Sequence, residues 1–311
     1  QQQQQQQLQE EEDKSPPPLH VAVKFSRDGP SVLRREIDAL QQISRHSAHP
    51  HIVQFYGIVK HMEGGDEAQF GLLFDWCPFT LADRTVLVKA KIVELVAQVA
   101  DALHFLHTKH GFVHRDVKGA NVLVQKPTKN WSEAVAKLAD FGSAKALVGI
   151  DEAQTFHVGT AEYKPPEART GRYVPESDVY SLGKCMVMIR GRGQSAIFRS
   201  QSRAHNDWKS IEEQCVLKDW KSRLKADKVR DLLRQMQKPG GAGTDHPPGV
   251  AAAQGGGAAD PPRPPPMSPA PAAAAAAAVA AAAVAPRAPE GGPRVVVCGV
   301  RAFCVVLLSY K

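Results

Sequence analysis

Cysteine is scarce and never paired: Cys77, Cys185, Cys215, Cys298 and Cys304 are odd in number, widely spaced and without a CxxC. That excludes a disulfide framework, offers no zinc site and points to a reducing, cytoplasmic compartment. Apolar runs long enough to cross a bilayer are absent too, the Ala/Val run from Ala272 included. The C-terminal RVVVCGVRAFCVVLLSYK is split by Arg301, and each half falls far short of the roughly 20 residues that span a bilayer. A buried strand, or sequence foreign to the protein, fits that stretch better than an anchor. The opening glutamine run is polar where a secretory signal needs an apolar centre. No block of Lys or Arg stands out, so the net charge of +7 is spread along the chain and gives no reason to expect a nucleic-acid partner.

What is present is uneven. The 311 residues are 43% hydrophobic, enough for one large or two modest domains. Residues 1–18 are Gln-rich, acidic and Pro-rich, and residues 238–311 are Gly, Pro and Ala with a short apolar end. Neither composition buries enough apolar surface to offset chain entropy, so the foldable part is 20–237.

Within it, LHVAVKF alternates and is β-branched, a strand ending near Lys24. SVLRREIDALQQI repeats Leu33, Ile37 and Leu40 at helical spacing, with Glu36 beside that stripe. HIVQFYGIV and FGLLFDW read as strands joined by the turn EGGDE. Apolar residues then recur every three or four places from Leu87 to His107, a long helix running into GFVHRDVKGANVLV. A loop, PTKNWSEA, precedes KLADFGSAK, a strand that breaks at Gly142. SDVYSLGKCMVMI is a second apolar helix.

Taken singly, the polar residues are unremarkable: Lys24 as an edge charge, Glu36 as a helix-surface acid, Asp140 as a turn former, HRDVKGAN as a solvated turn. Their order is more telling. A strand lysine, a helix glutamate, HRDxKxxN, DFG, GTAEYKPPE and SDVYSLG come in the succession found in eukaryotic protein kinases, which the chain resembles from about 20 to 237. Asp116 and Asp140 lie 24 positions apart, long for that family, and PTKNWSEA reads as an insertion between strands. The separation from Asp140 to Glu167 is ordinary.

The resemblance implies an α+β, two-lobed fold: a small strand-rich lobe over 20–77 and a helical lobe over 78–237, with ATP between them. Phosphoryl transfer asks a protein for positioning and charge neutralisation. In that scheme Asp116 orients the substrate hydroxyl, Lys118 faces the γ-phosphate, and Asn121 and Asp140 hold Mg²⁺. Lys24 holds the α and β phosphates and is oriented by Glu36. Ala22 and Leu123 sandwich the adenine, Phe74 guards the back of the pocket, and Asp75 to Cys77 form the hinge. Leu40, Phe55, His114 and Phe141 make a hydrophobic column on Asp178, which as plain packing would look the same. Arg115 implies control by phosphorylation of the activation segment, with Thr155 the best-placed acceptor; Thr155 as an ordinary loop threonine stands equally. Lys118 and the GT ahead of AEY resemble the serine/threonine class, in its tyrosine-kinase-like or MAP-kinase-kinase-kinase-like branches. The partners implied are ATP, a protein substrate and an upstream activator of unknown identity.

Three departures shape the expectations. No glycine precedes Gly29, where the family's Gly-rich loop and the first strands of its small lobe belong, so either the sequence is cut or misassembled there or the loop is lost. Glu36 follows Lys24 by only 12 residues, which predicts a helix one turn short. The arginine that pairs with Glu167 is expected late in the helical lobe, and none follows KVRDLLRQMQ before KPGGAGTDHPPG. An unpaired Glu167 would cost about 1 to 3 kcal/mol. The rival reading is a pseudokinase or scaffold that binds protein partners.

Overall fold

In the computed structural model, residues 19–25, 30–44, 48–62, 68–126, 128–147, 159–193, 198, 202–237, 299–300 and 303–308 are described. The alternating LHVAVKF forms β1 (Leu19–Phe25), antiparallel to β3 (Ala68–Asp75), which pairs in turn with β2 (Phe55–Met62). Val21, Val23 and Leu73 are buried on one face with Phe25, Tyr56 and Val59, while Leu72 and Phe74 join the main core on the other. That split is the two-residue period of a pleated strand. The expected strand at HIVQ starts later, because Ile52 bridges to Leu138 and the Val53 N–H donates to the Leu138 carbonyl at 2.9 Å, tying this stretch to the helical lobe. The EGGDE turn lies outside the described residues.

The other edge of β1 carries β10 (Phe303–Leu308) and then β9 (Gly299–Val300), giving the order β2-β3-β1-β10-β9. Residues 299–300 and 303–308 therefore sit in the small-lobe sheet. An edge strand exposes unpaired N–H and C=O groups, and a valine-rich stretch is well suited to meet them.

Helix α1 (Pro30–Ser44) buries Leu33, Glu36, Ala39, Leu40 and Ile43 along one face. The single helix expected from Leu87 to His107 is two, α2 (Arg84–Lys89) and α3 (Ile92–Lys109). The chain turns extended at Ala90 (φ −84°, ψ 161°), and this break lets Val86 and Leu87 as well as Ile92 and Leu95 reach the core. On α3 pack α4 (Pro175–Gly191) and α6 (Ala226–Met236), with α5 (Arg203–Cys215) packed against those two, while the Gln98 side chain accepts from the Ala136 N–H at 2.8 Å. These parts give the two-lobed arrangement.

Short strands then aim the polar loops. β4 (Phe79–Thr80), β6 (Val122–Gln125) and β7 (Val135–Leu138) form one sheet, and β5 (Phe112–Val113) pairs with β8 (Lys145–Ala146). β7 ends at Leu138, earlier than the expected break at Gly142, because Asp140 takes a left-handed φ of 66°. Residues 128–134 make a tight turn: Asn130 accepts from the Ser132 N–H, and Trp131 packs on Phe79 with ring centres 5.0 Å apart.

The expectation of an unpaired Glu167 is overturned. Arg223 grips it with both terminal guanidinium nitrogens, at 2.6 and 2.8 Å, and Ser177 Oγ donates to it at 2.8 Å. The Arg223 side chain is fully buried and lies over the Tyr180 ring. The arginine stands before α6, in the turn after Trp220, so a search beyond KVRDLLRQMQ passes it by.

His49 provides a pH test of the packing behind the sheet. It stacks on Phe105 at 4.6 Å and sits 3.8 Å from Asp101, which Arg230 holds at 2.8 Å. Burial pushes its pKa down to about 4, against the pull of Asp101. The unfolded chain therefore binds the extra proton between about pH 6.5 and 4, and stability is full above that window and falls within it by about 3 kcal/mol. Denaturant titrations of the parent and of His49→Gln should show this slope reduced in the variant.

Candidate active site

β1 and α1 bring Lys24 and Glu36 together in spite of their short separation. Lys24 Nζ donates to Glu36 Oε1 and Oε2 at 2.9 and 2.8 Å and to Asp140 Oδ1 at 2.9 Å. Of the two carboxylates Glu36 is the deeper, its side chain 4% exposed against 37% for Asp140. Burial drives the Glu36 carboxyl above its ordinary range, more than Lys24 pulls it down. For Asp140 burial acts in the same sense, but the charge and hydrogen bond of Lys24 outweigh it and hold the carboxyl low. The Lys24 ammonium, lowered by burial, is raised further by its two acids. The result is one retained cation and one exposed, persistently charged carboxylate at the rim.

The second cluster stands on the loop between β5 and β6. Asp116 Oδ2 accepts from Lys118 Nζ at 2.8 Å and from Asn121 Nδ2 at 2.9 Å, and its Oδ1 accepts from the N–H and Oγ1 of Thr160, both at 3.0 Å. Thr160 Oγ1 in turn accepts from Lys118 at 2.9 Å. Thr160 entered the sequence reading only through its GT dipeptide, and its contact with Asp116 spans 44 residues. Gly159 leaves no room for a side chain, since a Cβ there would lie 2.7 Å from the Arg115 carbonyl at a φ of +88°. The Asn121 amide also donates to the Asp116 carbonyl, which directs its Oδ1 acceptor away from Asp116.

Backbone pairing unites the clusters. Val122 lies opposite Leu138, and the Ala139 N–H donates to the Asn121 carbonyl at 2.9 Å, so Asp140 begins beside Asn121. Beneath them Asp178, with no exposure, accepts from the His114 and Arg115 N–H groups at 2.8 Å each and meets His107 Nε2 at 2.8 Å. His114 Nε2–H donates to the Ala139 carbonyl, which leaves Nδ1 to accept from the Asp116 N–H. Its ring meets Phe141 edge-on at 5.0 Å. Leu40 and Phe141 are buried in the same core, with Phe55 partly buried against it.

The remaining expected residues fall as follows. Ala22 is opposite Phe74 in the β1–β3 pairing, both buried, and Leu123 is buried on β6. Asp75 does more than mark a connection: its carboxylate accepts from the Gln54 N–H, Tyr56 Oη and Lys137 Nζ, the last at 2.7 Å. Lys137, on β7 opposite Leu123, is a partner that sequence reasoning missed, since no motif surrounds it. Burial, then Asp75, pushes the Cys77 thiol up to about 12, which makes it a poor nucleophile at neutral pH. Arg115 has a φ of 68°, donates from Nε to the Ser143 carbonyl at 2.6 Å and lies 5.3 Å over the Tyr173 ring. Thr155 lies outside the described residues.

A family model for the protein kinase domain matches residues 20–239, and the chain belongs to that family. It is 32% identical over 173 residues to a cell division control protein 2 homolog of Trypanosoma brucei brucei, covering 53% of this chain and 46% of that one. Similarity to mitogen-activated protein kinase kinase kinase 17 of Arabidopsis thaliana is 29% over 167 residues, 51% of this chain and 41% of that one. The serine/threonine-protein kinase SULU of Caenorhabditis elegans is 30% identical over 180 residues, 54% and 17% of the two chains. The chain thus spans less than half the length of these curated relatives. Among the described residues no helix is long and apolar enough to cross a membrane.

Two oxygen donors on adjoining strand ends, Asn121 and Asp140, suit a small hard cation that keeps other oxygens around it. Among the described residues no group of three or more His, Cys, Asp or Glu is placed to hold a metal by itself. This arrangement fits a divalent ion shared with a phosphate-bearing substrate.

Proposed function

We propose that the chain is a protein serine/threonine kinase that transfers the γ-phosphate of ATP to a protein hydroxyl. The observation that carries this reading is the pair of linked clusters, Lys24–Glu36–Asp140 and Asp116–Lys118–Asn121–Thr160, built on one buried Asp178. Lys24, held by two acids, presents its charge to the α and β phosphates. Asn121 and Asp140 would hold Mg²⁺, which when bound neutralises phosphate charge as the bond to the leaving group breaks. Asp116 accepts the proton of the attacking hydroxyl and aligns that oxygen. Lys118 stabilises charge at the γ-phosphate. Ala22, Leu123 and Phe74 line the adenine side, with Asp75 to Cys77 as the hinge.

In this reading Arg115 awaits a phosphate on the activation segment at Thr155, put there by an upstream activator, and the protein works in the cytoplasm without a nucleic-acid partner. The free thiols Cys77, Cys185 and Cys215 agree with a reducing compartment. The tyrosine-kinase-like or MAP-kinase-kinase-kinase-like branch is the subgroup proposed. The scaffold reading rested partly on a missing partner for Glu167, and Arg223 removes that support. Phosphoamino-acid analysis of a labelled generic substrate should return phosphoserine and phosphothreonine; phosphotyrosine alone would contradict the class.

A further inference from the structure

β1, which carries Lys24, is paired on its second edge by residues from the far end of the chain. β10 lies antiparallel to it at five positions, from Leu19 opposite Leu308 to Val23 opposite Cys304, so the ladder stops one residue short of Lys24. β9 then returns along the outer side of β10, with Phe303 opposite Val300 and only two residues between the strands. We propose that the edge of β1 is a strand-acceptor site whose occupants are this chain's own strands β10 and β9, added within the same molecule, and that the added pair steadies the strand bearing Lys24.

Two observations support that occupant. Main-chain pairing supplies the affinity in strand addition, and here it runs along β1 from Leu19 to Val23. Chain length permits this: the 61 residues from 238 to 298 can extend to about 200 Å, whereas a domain of about 220 residues has a radius of gyration near 17 Å. The role of the hairpin in catalysis rests on the kinase reading; its place on β1 does not.

The test uses the full chain. Val23→Cys places a thiol opposite the native Cys304, a pairing whose separation is within reach of a disulfide. Mild oxidation, non-reducing electrophoresis and peptide mapping should show a 23–304 link inside one chain, at a yield independent of protein concentration and lost in Val23→Cys/Cys304→Ser. A link joining two chains would overturn addition within the molecule, and no 23–304 link would overturn the pairing itself. A second variant, Val305→Pro/Val306→Pro, removes a ladder N–H whichever of the two alternating residues faces β1. Hydrogen exchange at the β1 amides should then quicken by about tenfold or more; unchanged protection contradicts the proposal. If the parent transfers phosphate, this variant should raise the KM for ATP more than it lowers kcat. A parent that transfers nothing, while its Val23→Cys variant forms the link, would sink the function and leave the hairpin standing.

Discussion

An Asp116→Asn protein should fold and lose phosphoryl transfer by about 10²- to 10⁴-fold, the span usual for a positioned general base. Asp116 receives four hydrogen bonds, from Lys118, Asn121 and both donors of Thr160, so its carboxylate is aimed before any substrate arrives. The amide keeps the size of the side chain and removes the charge that attracts a proton. The loss should therefore appear in kcat, with the KM for ATP little changed, because Lys24 and Asp140 belong to the other cluster. Steady-state kinetics beside circular dichroism checks this, and a variant as active as the parent would remove Asp116 from the mechanism.

The largest loss of stability should follow Arg223→Met. The guanidinium is buried, bonded twice to Glu167 and once through Nε to the Leu217 carbonyl at 2.7 Å. Removing it leaves a carboxylate only 8% exposed, with Ser177 as its remaining side-chain donor. Breaking a buried pair from one side costs about 3 to 5 kcal/mol, and in a domain of this size each kcal/mol lowers Tm by about 2 to 4 °C. The double variant Arg223→Met/Glu167→Leu should recover much of the loss, since the uncompensated charge goes with it. Calorimetry of the two proteins separates that case from a simple packing defect, in which the double variant would be no better than the single.

The readability of the sequence divided along physical lines. Lys24, Glu36, Asp116, Asn121 and Asp140 stand in motifs whose spacing is local, and the structure gathers them into two hydrogen-bonded clusters, Lys24 with Glu36 and Asp140, and Asp116 with Asn121. Contacts that depend on distant pairing were hidden. Lys137 meets Asp75 across 62 residues, and Arg223 meets Glu167 across 56, without a motif around either cation. The break at Ala90 escaped notice because apolar periodicity continues through it; the need to bury both Leu87 and Ile92 decides it, and that is a property of the packed core. β10 was hardest to place, because the preference of a valine-rich stretch for a strand says nothing about which edge it joins.

The most direct test of the whole account is transfer of radiolabelled γ-phosphate from ATP, with Mg²⁺, to a generic basic protein and to the chain itself, beside an Asp140→Asn protein. Asp140 carries the exposed, charged carboxylate that joins Lys24 to the proposed metal position. The account predicts label transferred by the parent and lost from the variant; equal label in both, or none from a folded parent, would contradict it.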